Sequence, residues 1–354
     1  MSKRLNRTAL SIMMLILLTA CAQETTVPPA QTEPPAPTPT PQPVTQQPSP
    51  EQPTYSYTAP LTGMGTNEPV DHRPIMVMVN NAPPARPQSG LDKADIVYEL
   101  LAEGEMTRFV AIYQSQKPKV IGPVRSIRPY FIQLGAGFDA VMIHAGGSPE
   151  ALETLAHSTT YNSVNEISNG KYFWREKFRK MPHNLYTDLD RIDKAIADKG
   201  MRDRSELPFL PFLPADTVIT DGAKAETIQV TYHSLNKASY TYDPESKKYL
   251  RFTAGKPHTD LVTKQQLSVT NLLVIAARHK ILDSEGRREV DINGPGDGYL
   301  FQQGKVQPVI WKRVNGVIRA YSVTDQKELP LLPGNTWVNI LPDKPGLAKE
   351  LSFQ

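Results

Sequence analysis

The stretch DIVYELLAEGEMTRFVAIYQ, residues 95–114, decides how the first half of this chain folds. Its two apolar segments, 95–103 and 108–114, flank Gly104 and a few polar neighbours, which predicts a β-hairpin. Upstream, IMVMVN (75–80) is a compact apolar run typical of a buried strand. These segments predict three strands, two of them paired as a hairpin.

Helical segments alternate with these strands. RPYFIQLGAGF (128–138) has proline in its first turn, and SPEALETLAH (148–157) begins with Ser, Pro and Glu, a strong helix start. VMIHAGG (141–147) is a predicted strand that ends in glycines, and DLDRIDKAIADKG (188–200) repeats apolar residues at helical spacing. Residues 61–206 are therefore predicted to form an α/β or α+β N-terminal domain.

Downstream, almost every apolar segment alternates with period two. LPFLPFLP, residues 207–214, carries three prolines in eight positions, which excludes a regular element and predicts a domain boundary. Beyond it, segments such as NLLVIAA (271–277) and WVNIL (337–341) are typical of strands, and Asn315-Gly316 suits a hairpin turn. Residues 215–354 are predicted to form a mainly β C-terminal domain.

The N-terminus has the layout of a secretory signal. Basic residues precede an apolar run of roughly ten residues, too short to span a bilayer, which needs about twenty. LLTAC (17–21) then places the chain's one cysteine, Cys21, after a small residue. This resembles the lipobox of bacterial lipoproteins, in which residues 1–20 would be removed and Cys21 diacylated, a stable anchor. We expect the protein at the extracytoplasmic face of the cell membrane.

The composition separates a tether from a neutral folded part. Residues 22–60 contain twelve prolines and few bulky apolar residues, so 21–60 is predicted to be a disordered, partly polyproline II linker. Without residues 1–20, which hold three basic residues and no acid, 36 basic residues face 36 acidic ones. This balance argues against a nucleic-acid partner, whose binding rests on clustered basic charge.

GPVRSIRPY (122–130) is the most informative stretch for chemistry. If Ser126 caps the helix that follows, Arg125, Arg128 and free backbone N–H groups meet at a helix N-terminus, which suits a phosphate or carboxylate. The alternative is that both arginines pair with acids of the same domain.

Four residues are candidates for acid–base work. Glu99 and Glu103 share one face of their predicted strand, about 13 Å apart, farther than the paired carboxylates of glycosidases. His144 and His183 lie near predicted strand ends and suit a general base or a metal ligand. Neither has a partner at a recognisable spacing, so no metal site is predicted, and a structural role is the alternative for all four.

Other motifs are weaker. KYFWREKFRK (171–180), with five basic residues and one acid, suits anionic headgroups or wall polymer, or it is a solvated helix face. NGPGDG (293–298) precedes a predicted strand, so a turn is favoured over a dinucleotide site. The sequence holds no GxSxG, Walker A or HExxH motif. No cofactor is predicted.

Longer stretches carry a family resemblance. RPIMVMVNNAPPARPQSGLDKADIVYELLAEGEMTRFVAIYQS, GPVRSIRPYF, HAGGSPEAL and MPHNLYT resemble the N-terminal domain of the YerB-like lipoproteins of Gram-positive bacteria, and GPGDGYLFQQGK and PGNTWVNIL resemble their second domain. The resemblance implies a lipid-anchored envelope protein with two domains of unknown function and no established reaction. The family motifs contain Asn80, Arg86, Glu99, Arg108, Arg125, Arg128, His144 and His183.

Two functions remain open. The first is a non-enzymatic module that binds a cell-wall component or a membrane-bound envelope protein. Its candidate ligand-binding residues are Arg125, Ser126, Arg128, Asn80, Arg86 and Arg108. The alternative is an envelope hydrolase or transferase whose acid–base residues come from Glu99, Glu103, His144 and His183.

Overall fold

The computed structural model describes residues 54–233 and 236–354. The predicted signal peptide, Cys21 and the linker up to residue 53 lie outside the described residues. Pro53–Gln354 forms one compact unit. Within the described ranges, no helix has the length and apolar character needed to cross a bilayer.

Strands and helices alternate in the first half, as predicted. The strands are β1 Tyr57–Thr58, β2 Gly65–Thr66, β3 Ile75–Asn80, β4 Ile96–Glu103, β5 Met106–Tyr113, β6 Val141–His144, β7 Ser163–Asn165, β8 Trp174–Arg175 and β9 Leu185–Tyr186. The helices are α1 Pro129–Ala136, α2 Pro149–His157, α3 Glu166–Asn169 and α4 Leu189–Asp198, with 3-10 turns at Pro83–Ala85, Leu91–Lys93 and Gly170–Tyr172.

The second half is mainly β, which confirms its predicted class. Its strands are β10 Ala223–Lys224, β11 Thr227–His233, β12 Asn236–Asp243, β13 Lys248–Thr253, β14 Lys256–Pro257, β15 Ser268–Val269, β16 Asn271–Ala277, β17 His279–Ile281, β18 Arg288–Val290, β19 Gly296–Gln302, β20 Lys305–Val314, β21 Val317–Ser322, β22 Thr336–Pro342 and β23 Leu351–Phe353. One short helix, α5, spans Leu347–Glu350.

An eleven-stranded mixed sheet in the described part of the chain joins both halves. Its order is β10-β20-β19-β16-β22-β4-β5-β3-β6-β7, with β21 paired to β20. The hairpin predicted from residues 95–114 is confirmed as antiparallel β4 and β5. On its other side, β4 pairs in parallel with β22 from the second half. The sheet is therefore continuous across the proline-rich segment.

The proline-rich segment packs against the second half. Residues 207–214 form no helix or strand, as their prolines predict. Leu210 is buried, and the Leu213 N–H donates to the Leu331 carbonyl at 2.8 Å. The domain boundary drawn here from composition stays a prediction.

Both faces of the large sheet are covered, because alternate side chains of its central strands enter two apolar cores. Ile75, Val77 and Val79 of β3 face one core, and Met76 and Met78 face the other. The first core contains side chains of α4 and of the second sheet, β14-β13-β12-β11-β23 with β15 paired to β13. The other contains side chains of α1 and α2. These are called the sheet side and the helix side.

The strand directions gather one set of side chains. β3, β6 and β7 are parallel, and β4 runs the same way because β3 and β4 are both antiparallel to β5. Their last residues, Asn80, Glu103, His144 and Asn165, therefore lie at one edge of the sheet, called here the carboxyl edge. Such edges are where ligands bind in many α/β folds.

Three local expectations differ from the structure. Ser126 does not cap α1; Arg128 occupies the N-cap position because Pro129 takes the first helical position and keeps the preceding residue extended. Residues 171–180 form a 3-10 turn and the strand β8, which excludes a helix face. β1 lies within the stretch that composition assigns to the linker.

Candidate functional site

Main-chain hydrogen bonds fix Arg125 at the carboxyl edge. Its N–H donates to the Met78 carbonyl of β3 at 2.8 Å, and its carbonyl accepts from the Ala145 N–H, directly after β6, at 3.0 Å. Two residues before Arg125, the Pro123 carbonyl accepts from the Asn80 N–H at 2.9 Å. The arginine loop is therefore held between the ends of two parallel strands.

Two of the edge arginines share one acid. Arg108 Nη2 lies 2.5 Å from Glu103 Oε2, and Arg128 forms an ion pair with the other carboxylate oxygen. Arg108 Nη1 also donates to the Ser126 carbonyl at 2.8 Å. Burial, followed by the charge of Arg125, lowers the pKa of Arg108 to about 9. For Arg128, the predicted alternative of pairing with an acid of the same domain is confirmed.

Arg125 differs from both of these arginines. Its side chain is half-buried, and no acid or other acceptor in the described part of the chain contacts the guanidinium. Burial lowers the pKa of Arg125, and no neighbouring carboxylate counters that effect. A half-buried cation without a partner is costly, because desolvation removes water without supplying another acceptor.

His183 supplies a hydrogen-bond donor beside Arg125. The Asn80 Oδ1 accepts from the Ala82 N–H at 3.0 Å, so the amide nitrogen donates to His183 Nδ1 at 2.9 Å. That contact leaves the proton of the neutral ring on Nε2. Partial burial, then the charges of Arg125 and Arg179, lower the pKa of His183, which keeps the ring neutral near pH 7. The ring thus offers an Nε2–H donor within the field of two cations.

His144 is at the same edge but is sequestered. It is 1% exposed, and its Nδ1 contacts the Gly146 carbonyl at 2.8 Å. Burial lowers the pKa of His144 to about 4, so the ring is neutral, with the proton on Nδ1. Its Nε2 has no hydrogen-bond partner within the described ranges. The ring is an unused acceptor close to the edge.

Glu99 lies away from this cluster, on the sheet side. Its Oε2 accepts from Arg251 of β13 at 2.8 Å, and its Oε1 accepts from Asn81 at 3.1 Å and Thr107 at 3.0 Å. The pairing of β4 with β5 shifts register between Leu101 and Glu103, so Glu103 reaches arginines on the helix side. The prediction that Glu99 and Glu103 share one face of the strand is therefore wrong. Glu99 and His144 are therefore not brought together as an acid–base pair.

Arg86 belongs to the buried network around Glu99. Its Nε donates to the Asn81 side chain at 3.0 Å, and its Nη2 donates to Asn236 of β12 at 3.0 Å. Gln88 and His258 extend the network, with His258 Nε2 2.7 Å from Gln88 Oε1. These contacts hold the two halves together. Sequence reasoning missed Asn81, Gln88, Arg251 and His258, because their partners come from distant segments.

Arg179 is another residue that the sequence did not single out. Its guanidinium donates to the carbonyls of Ala85 at 2.6 Å and Pro87 at 2.5 Å. It therefore pins the segment 176–183, and with it His183, against the loop after β3. The five basic residues of 171–180 were the signal that could have found it.

The edge site is suited to binding an anion. Arg125 and His183 present donors, Asn80 orients the ring, and Arg108, Arg128 and Glu103 form the paired support behind them. Across residues 54–233 and 236–354, no group of three His, Cys, Asp or Glu residues is arranged to hold a metal ion.

Comparisons with known proteins match this chain to two family models, a named relative and a crystal structure. The model for the N-terminal domain of a protein of unknown function (DUF3048) matches residues 61–202, and that for its C-terminal domain matches residues 228–338. The protein named "Putative lipoprotein YerB" of Bacillus subtilis (strain 168) is 44% identical over 290 residues, which cover 80% of this chain and 86% of that protein. The crystal structure of YerB protein from Bacillus subtilis matches with a TM-score of 0.76 and 42% identity, covering 84% of this chain and 100% of that chain.

Proposed function

Since the chain belongs to the DUF3048 family, as its YerB-like motifs predict, we propose that it is a lipid-anchored envelope protein that binds an anionic group at the carboxyl edge. The family descriptions supply no reaction. The function is therefore argued from the site. In this proposal the folded part is a non-enzymatic binding module for a phosphate- or carboxylate-bearing component of the envelope.

The observation that carries the proposal is the unpaired, half-buried guanidinium of Arg125. An arginine in this position gains two or more charge-assisted hydrogen bonds when a phosphate or carboxylate arrives, and each contributes about 1.5–3 kcal/mol. The His183 Nε2–H adds a neutral donor to the same anion. Arg108 and Arg128 cannot take this role without giving up Glu103.

The anchor is proposed from the N-terminus and from the relative's name. Cys21 follows a short apolar run, and the YerB relative is named as a lipoprotein. Diacylation of Cys21 would hold the module at the extracytoplasmic face of the membrane, with the proline-rich linker as its tether.

The test is a binding measurement on the chain from Pro53 onward, which forms one compact unit. Isothermal titration with glycerol phosphate and with purified anionic wall polymer should show saturable binding that Arg125→Ala weakens at least about 10-fold, as expected for lost charge-assisted bonds. Arg204→Ala is the matched control, because Arg204 is exposed and already paired with Asp71. Equal binding by wild type and Arg125→Ala, or no binding by either, would refute the proposal.

A further inference from the structure

The rim of the Arg125 site carries exposed apolar side chains. Ile167, Phe178 and Met181 are 74%, 60% and 68% exposed. Large apolar side chains scattered over a surface need no explanation, but three around one polar site indicate an interaction surface.

Contacts connect Ile167 to the site. The Asn165 side chain at the end of β7 accepts from the Gly146 N–H at 2.9 Å. Ile167 follows two residues later, and a Cβ added at Gly146 would lie 3.2 Å from its Cδ1. Gly146 directly follows Ala145, whose N–H holds the Arg125 carbonyl. Ile167 is therefore beside the arginine loop.

Phe178 and Met181 flank the other side, through His183. The His183 N–H donates to the Lys180 carbonyl at 3.0 Å, so Met181 lies in the turn that leads into His183. The Phe178 ring lies 6.4 Å from the ring of Tyr186 of β9. This turn therefore adjoins the edge at which His183 is bonded to Asn80.

The charges around this rim are mainly positive. Of its two acids, Glu166 is paired with Arg175, and Glu176 accepts from the Trp174 ring N–H. Lys177 and Lys180 are exposed and have no acidic partner in the part of the chain that the structure describes. Arg179 donates to carbonyl oxygens, which are neutral and do not offset its positive charge. Cations interleaved with exposed Phe, Met and Ile side chains suit the headgroup boundary of an anionic bilayer, where apolar groups insert and each nearby cation adds attraction.

We propose that the rim formed by Ile167, Phe178 and Met181, with Lys177 and Lys180, docks the carboxyl edge onto an anionic phospholipid bilayer, so that Arg125 and His183 bind a lipid phosphate. The inference rests on the proposed function and names the source of its anion. A long proline-rich tether alone does not bring the folded part to the bilayer surface. This rim would do so.

The experiment is vesicle co-sedimentation of the chain from Pro53 onward. Vesicles of phosphatidylglycerol and phosphatidylcholine in equal parts should bind it, and pure phosphatidylcholine vesicles should not. The double variant Phe178→Ser/Met181→Ser should weaken vesicle binding about 10- to 100-fold, as expected for two lost apolar insertions. Titration with soluble glycerol phosphate should be unchanged in that variant.

Phe209→Ser is the matched control. Phe209 is 80% exposed, and its segment is bonded to Leu331, which precedes β22; it therefore lies toward the opposite edge of the sheet. This variant should bind vesicles as wild type does. If the wild type bound soluble anion through Arg125 but did not bind vesicles, the docking proposal would be overturned and the anion site would stand. Equal losses of vesicle binding in the Phe178/Met181 and Phe209 variants would also overturn the docking proposal. If the wild type bound neither vesicles nor soluble anion, both proposals would be overturned.

Discussion

Replacing Arg251 by methionine tests what holds the two halves together. Arg251 is 0% exposed, with Nη2 2.8 Å from Glu99 Oε2 and Nη1 3.1 Å from the Tyr240 hydroxyl. Its guanidinium also lies over the Trp337 ring, 4.8 Å from the centroid. Methionine fills similar space, and it leaves Glu99 Oε2 without its cation.

The expected cost follows from that uncompensated charge. Removing one partner of a buried ion pair destabilises by about 3–5 kcal/mol, whereas replacing both partners with neutral groups of similar volume is often close to neutral. The double variant Glu99→Gln/Arg251→Met should therefore regain most of the loss. The coupling energy of the cycle should reach about 2–3 kcal/mol, the upper part of the range for residues in contact.

Equilibrium urea unfolding of the chain from Pro53 onward, followed by circular dichroism and tryptophan fluorescence, measures these differences. Arg278→Met is the matched control. Arg278 is exposed and forms a surface ion pair with Asp291 at 3.4 Å, and such pairs contribute about 0–1 kcal/mol. A loss below about 1 kcal/mol for Arg251→Met, or additive losses in the double variant, would refute the reasoning.

Two further predictions concern stability. Burial raises the pKa of Glu350 from 4.5 to about 7, so the contribution of this group to stability is fully present below pH 4.5 and is lost as the pH rises through about 7. Glu350→Gln should therefore stabilise by about 1–2 kcal/mol at pH 8, after discounting for nearby solvent, and hardly at all at pH 4, in urea unfolding at both values. Gly137→Ala should destabilise by about 1–3 kcal/mol in thermal unfolding, because its Cβ would lie 2.0 Å from the Gly316 carbonyl oxygen. Gly170→Ala, which meets open space, should not. An unshifted pH profile, or equal losses in the two glycine variants, would contradict these expectations.

Local patterns were enough to predict the β4–β5 hairpin and the start of α2. Residues 95–114 form their hairpin because two apolar segments and the glycine turn between them lie within a few residues of one another. α2 begins at Pro149 because Ser148 accepts from the Ala151 N–H, a capping contact three residues away. Both signals are contained in the segment that they organise.

Long-range pairings could not be predicted in this way. β22 lies beside β4, with Asn339 opposite Glu99. Nothing in the sequence of either segment predicts that it pairs with the other. Likewise, the pattern around Glu99 predicts the face of the strand on which its side chain lies. It does not predict the contact with Arg251, which is 152 residues away in the sequence. Composition therefore gives the class of each half and contains no signal for the sheet that the two halves share.

Charge counting explains why Arg125 is the arginine left without a carboxylate partner among the described residues. Arg108, Arg125 and Arg128 approach one corner of the carboxyl edge, and Glu103 can neutralise only one of their three charges. The register shift at the end of β4 turns this carboxylate toward Arg108 and Arg128, which are the more buried and so need it most. The remaining cation is the one that reaches partly into water beside a neutral imidazole. An arriving anion would therefore stabilise Arg125 directly and Arg108 indirectly, since it lowers the repulsion that Arg125 exerts on Arg108.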